Sequence, residues 1–157
     1  MKHLNKKSAI LFPLLILTLI QLHPVDRSNP PVRADIMAPL RIASLLRRAC
    51  YDCHSNETNW PWYSYAAPAS WLVAADVTDG RDRMNFSAWR EDNSDDQKGN
   101  AHDILKTLKK GEMPPSGYIL MHPEAQLTQP ETKELLVWFK DFMPSVSPAS
   151  ISVVALK

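Results

Sequence analysis

A chain of 157 residues has room for one domain plus extensions. Five tryptophans and only four glycines suit a small domain packed around a large flat apolar group, which supplies core that a short chain lacks. The formal net charge is +1, but with residues 1–22 set aside fifteen Lys+Arg face seventeen Asp+Glu, a net −2, which excludes the footprint of a nucleic-acid binder.

Met1 to Lys7 is basic, and Ala9 to Leu22 is apolar except for Thr18 and Gln21. That is the layout of a secretory signal. The run is short for a membrane span, which takes about twenty apolar residues. No A-x-A-like cleavage site follows, since the next residues are His23-Pro24-Val25-Asp26-Arg27. A retained anchor through residues 8–22 is therefore favoured over a cleaved leader. Either way the basic end stays inside and the rest of the chain is exported, which puts the protein in the periplasm, soluble or tethered. Residues 25–38 carry Pro30 and Pro31 and little periodicity, and read as an extended linker.

Pro39 fits the first turn of a helix whose apolar positions include Leu40, Leu45 and Leu46, running into Cys50. There the chain reads Cys50-Tyr51-Asp52-Cys53-His54, the C-x-x-C-H attachment signature of a c-type haem. Two thiols three positions apart add across two vinyl groups of one porphyrin, and the adjoining imidazole is offered to the iron. Three simpler readings compete. A redox dithiol wants a βαβ context, a zinc site wants a second cysteine pair, and a structural disulfide leaves the histidine unexplained. One covalent haem c per chain, bound by Cys50 and Cys53 with His54 on the metal, is the expectation.

Asn56 to Ala67 reads as an aromatic loop with Trp60, Trp62, Tyr63 and Tyr65. Pro68 starts a helix through about Asp76 with Trp71, Leu72 and Ala75 inside, and Asp79-Gly80 reads as a turn. Phe86 and Trp89 lie in a short following segment, and Glu91 to Gly99 reads as charged and exposed. Asn100 is the expected cap of a helix with Ile104, Leu105 and Leu108, closed by Lys109, Lys110 and Gly111. Thr128 and Glu131 form a capping box for the last helix, whose Leu135, Trp138, Phe139 and Phe142 share one face until Pro144 ends it. No strand alternation or repeat occurs, so the fold class is all-α. The organisation expected is a signal or anchor over 1–24, a Pro-rich linker over 25–38, a haem-binding domain over 39–144 and a flexible tail over 145–157.

The second iron ligand decides the chemistry. Met113 stands in Gly111-Glu112-Met113-Pro114-Pro115, beyond a helix end and stiffened by two prolines, as a weak thioether ligand requires. It leads over His122, with His102, Met84 and Met121 behind. Trp60, Trp62, Tyr63 and Trp71 are candidates to line the haem, and Arg81 and Arg83 to neutralise its propionates.

The blocks C-Y-D-C-H-S-N-E-T-x-W-P-W-Y, A-P-A-S-W, D-V-x-x-G-R, N-F-S-x-W, G-E-M-P-P and H-P-E-A-x-L, in that order, resemble the bacterial haem-binding domain family with one C-x-x-C-H. The resemblance runs from about Val25 to Phe142. It implies a small cytochrome c-like domain, with His54 proximal and Met113 distal, and no settled enzymatic activity. An electron-transfer cytochrome serving a redox partner protein is the first reading. A haem enzyme accessory, or a gas or redox sensor with an open distal site, is the second.

Overall fold

The computed structural model of the chain describes residues 6–145. These residues form α1 (Lys6–Ile20), α2 (Leu40–Ala49), α3 (Tyr51–His54), α4 (Ala69–Arg83), α5 (Ser94–Lys110), α6 (Ser116–Met121) and α7 (Gln129–Ser145), with three short 3-10 turns. No strand occurs among the described residues, and the fold is all-α.

α2 follows Pro39 and buries Ile42, Leu45, Leu46 and Ala49 along one face. Helical geometry breaks at Cys50, where φ is −130°. The C-x-x-C-H motif then winds the single turn α3. It therefore stands just beyond the first domain helix and not in that helix's last turn.

Three boundaries differ from the sequence reading. Asp79-Gly80 is not a turn: α4 continues to Arg83, and Gly80 is buried inside it. A lone glycine weakens a helix without ending it, and packing against α3 holds this one. Asn100 is not a cap either. Asn93 caps α5, its Oδ1 accepting the amides of Asp95 and Asp96 at 3.0 Å each. The acidic side chains of that first turn suit the positive end of the helix, so much of the stretch read as charged and exposed is helical. Finally, α7 runs to Ser145, past Pro144. A proline that close to the end forfeits one bond, beside carbonyls that lack helical partners anyway. Of the tail expected over 145–157, all but Ser145 lies outside the described residues.

The inner face expected of α4 is also overturned: Trp71, Leu72 and Ala75 are exposed, and Ser70, Val77 and Gly80 are the buried residues. The end signals of α5 and α7 hold. Gly111 closes α5 at φ 66°, its amide donating to Leu108 O at 3.1 Å and that of Glu112 to Thr107 O at 3.0 Å, a Schellman arrangement. At the head of α7 the Thr128 amide donates to Glu131 Oε2 at 2.9 Å, and Glu131's amide to Thr128 Oγ1 at 3.4 Å. Leu135 and Phe139 of α7 are fully buried against Leu105 and Leu108 of α5. Phe86 and Trp89 complete this core, with Phe86 stacked on Tyr51 at 5.3 Å between ring centroids.

Residues 25–38 are extended, yet they are laid on the domain. Arg33 and Ala34 amides donate to Ser87 O, Ile36's to Phe86 O, and Asn56 Nδ2 donates to Pro31 O. Ile36 enters the core, and Asp35 Oδ1 accepts the Tyr51 hydroxyl at 2.8 Å. Backbone amides and side chains together fix this segment.

Candidate functional site

α3 and α4 fix His54 between them. Its Nδ1–H donates to Gly80 O at 2.8 Å and lies 3.3 Å from Met84 O. A ring whose Nδ1 is committed to a carbonyl is held in one tautomer and keeps Nε2 as the free lone pair, the arrangement of a metal-ligating histidine. Burial pushes the imidazole's pKa below its ordinary value, against the pull of the two carbonyls, and this favours the neutral ligand form.

The contact requires glycine at position 80. A Cβ there would stand 2.5 Å from Cys53 O and 3.1 Å from Cys53 Cβ. α4 thus packs backbone to backbone on the turn that carries both cysteines. Sequence reasoning missed this role. The local signal there, Asp79-Gly80, is that of a turn, and nothing in the sequence points to the Cys53 backbone.

His54 opens onto a cavity of about 700 Å³, inside the range of about 300–1,000 Å³ usual for cofactor pockets. Cys50, Met113, Met84, Phe86, Leu135 and Phe139 line it, so its wall is apolar in good part and carries sulfur from three residues. Arg83, Lys106 and Lys110 also line it beside Asp103 and Glu112, with Lys110 paired to Glu112 at 3.3 Å, so Arg83 and Lys106 are the cations left to meet a carboxylate. Of the four predicted site residues, Cys50, His54 and Met113 meet here. Cys53 is not among the lining residues, but its amide donates to Cys50 O at 3.2 Å, so both thiols leave one turn. Neither cysteine is in a disulfide. Burial raises the Cys50 thiol to about 12 and that of Cys53 to about 11, the opposite of an activated redox dithiol.

His122, the rival ligand, is engaged elsewhere. Its Nε2 is 2.7 Å from Tyr63 Oη and its Nδ1 is 3.1 Å from Glu124 Oε1, while Tyr118 stacks on its ring at 4.4 Å. Tyr118 in turn donates to Asp52 Oδ2 at 2.6 Å, tying α6 to the middle of the motif. His102 is exposed, 3.7 Å from Asp103. Met121 is half exposed and off the cavity.

Two groups of expected contacts are corrected. Trp60, Trp62, Tyr63 and Trp71 do not line the cavity; the aromatic wall is Phe86 and Phe139, supplied by the core itself. Trp62 is 77% exposed, and Trp71 meets His23. Arg81 turns away as well. It donates to Ser55 O, Ser28 O, Asn29 Oδ1 and Thr58 Oγ1, at 2.8 to 3.0 Å, and so staples residues 28–29 to the loop after the motif. Arg83 alone of that pair reaches the cavity.

No curated protein and no solved structure matches the chain. The family model described as a haem-binding domain matches residues 15–141, which takes in every cavity residue named above. The chain belongs to the haem-binding domain family.

Proposed function

We propose that the cavity holds one covalent haem c, joined through Cys50 and Cys53 and ligated by His54 and Met113. The protein is then an electron-transfer cytochrome on the outer side of the cytoplasmic membrane, serving a redox partner protein. The observation that carries this reading is the meeting of Cys50, Met113 and a His54 with its Nδ1 already committed on one cavity of about 700 Å³. The apolar part of the wall suits the porphyrin faces, and Arg83 and Lys106 suit the propionates. Each thiol adds across a vinyl group, forming a C–S bond and leaving its hydrogen on the neighbouring carbon, so no oxidant is consumed. When bound, the haem supplies reversible one-electron exchange at its iron.

Two methionines line the cavity, and the choice between them rests on side. Met84's own carbonyl is 3.3 Å from His54 Nδ1, so Met84 belongs to the histidine's flank. Met113 comes from the loop between α5 and α6. Met113 would hold the iron together with His54, and a haem so held would exchange electrons without exchanging ligands.

The membrane side of the reading rests on α1. Its Leu, Ile and Phe side chains are exposed, 42 to 66% each from Ile10 to Leu19. A helix apolar all round is suited to lipid and not to water. Gln21, just past its end, exchanges two hydrogen bonds with the backbone of Ala67, at 3.1 and 2.9 Å, which favours a leader kept with the domain.

One set of optical spectra tests the proposal. The denatured holoprotein keeps its haem, and the oxidised form carries the weak long-wavelength band of a thioether–iron bond. Substituting both cysteines with Ala abolishes attachment. Ready binding of carbon monoxide by the wild type would replace this reading with the open-site sensor or enzyme accessory.

A further inference from the structure

α1 is short for the membrane. Fifteen residues at about 1.5 Å each give about 22 Å, against about 30 Å of hydrocarbon. No helix among the described residues is long and apolar enough to cross a membrane. A short segment is accommodated when the bilayer thins or when flanking groups are drawn into the interface. The domain offers such groups at the foot of α1.

There the 3-10 turn Trp62–Tyr65 and the start of α4 carry Trp62, Tyr65, Trp71 and Leu72, all exposed. The loop between them is the one that Gln21 clamps through Ala67. His23 stands edge-on to Trp71, 5.7 Å between centroids, and the Arg27 guanidinium lies 4.6 Å over the Tyr65 ring while donating to Ser64 O at 3.1 Å. The end of the apolar helix is therefore held at the aromatic face. Tryptophan and tyrosine are the residues that settle at headgroup level, apolar ring inward and polar tip outward, and arginine suits the phosphates above them.

We propose that Trp62, Tyr65, Trp71 and Leu72 form a seat on the lipid interface, so that the domain rests on the bilayer in one orientation. The inference rests on the reading of α1 as a retained membrane segment, and its occupant is lipid. Continuity with α1 argues for lipid: whatever receives Ile10 to Leu19 also meets this face. Trp62 and Trp71, candidates for the haem wall in the sequence, are thus given other work.

Photo-crosslinking from lipid tests it. Full-length holoprotein is reconstituted in phosphatidylcholine vesicles containing a phosphatidylcholine with a diazirine near the headgroup, irradiated, and mapped by mass spectrometry. Adducts are expected on the α1 peptide and on the peptide spanning residues 60–72. In Trp62→Ser/Leu72→Ser, which alters two exposed side chains, the second set is lost while the first persists. Adducts on α1 alone overturn the seat and leave the anchor standing. Adducts on neither overturn both, and adducts on residues 60–72 alone support the seat while overturning the anchor. Adducts on α1 alone, together with a dimer that Trp62→Ser/Leu72→Ser dissociates, assign the face to a second copy and overturn the proposal.

Discussion

Gly80→Ala sets two forces of opposite sign against each other. Alanine in place of glycine inside a helix favours folding by about 1 kcal/mol, and on that ground alone the variant is the more stable protein. Against this, the added carbon meets Cys53 O at 2.5 Å, and the obstruction is backbone, which cannot rotate away. Ordinary contact begins near 3.4 Å, so α4 and α3 must part by nearly 1 Å. The same displacement stretches the 2.8 Å bond from His54 Nδ1 to Gly80 O beyond hydrogen-bonding range. Overpacking of this kind costs about 1–3 kcal/mol and the lost bond about 1 more, so the clash outweighs the propensity gain by about 1–3 kcal/mol. For a chain of this size that lowers Tm by about 2–10 °C. Denaturant unfolding of the holoprotein reads the stability. The reduction potential reads the histidine, because freeing Nδ1 weakens His54 as a donor and shifts the potential at fixed coordination. A variant as stable as wild type or more so, with an unchanged potential, would refute the reasoning.

Met113→Ala is expected to remove the thioether–iron band and lower the potential, with carbon monoxide then bound readily, whereas Met121→Ala leaves the spectrum unchanged. Glu131, held at about 2 by the Thr128 amide and by Arg48 at 2.8 Å, contributes stability above the unfolded carboxylate pKa that is lost as pH falls towards 2. Glu131→Gln should therefore flatten the acid limb of an unfolding curve between about pH 4.5 and 2. Arg81→Ala strands four acceptors and should cost about 2–3 kcal/mol in urea unfolding, with Arg81→Lys recovering only part, since an ammonium cannot span all four. Asn93→Ala should cost about 1 kcal/mol, and Asn100→Ala less if the cap is where the structure has it.

What could be read in the sequence was local. Motif, caps and periodicity depend on neighbours a few residues apart, so C-x-x-C-H, the capping box of α7 and its Leu135/Phe139 face were all visible there. The errors came where a distant partner decides. Gly80 looked like a turn because Asp-Gly is a local turn signal, while the backbone it packs against, that of Cys53, lies 27 positions earlier. Trp62 and Trp71 looked like haem wall because an aromatic cluster has no inherent direction; the core supplied Phe86 and Phe139 to the cavity and left the tryptophans outside. Arg81 and Arg83 are indistinguishable by type, and only the helical turn between them sends one to Ser55 and the other to the cavity.

With α1 held in a bilayer as proposed, the stapling of residues 25–38 would determine how far the domain can travel. A free strand of fourteen residues separates its ends by about 20 Å on average and by more than twice that when pulled taut. Here Gln21, Arg27, Asn29 and the run from Arg33 to Ile36 are each tied down, and that length is used up on the domain's own surface. A domain on such a short leash does not sweep a volume in search of collisions. Encounters with anything it serves are set by the visitor's diffusion and approach angle, and the leash contributes none of the searching.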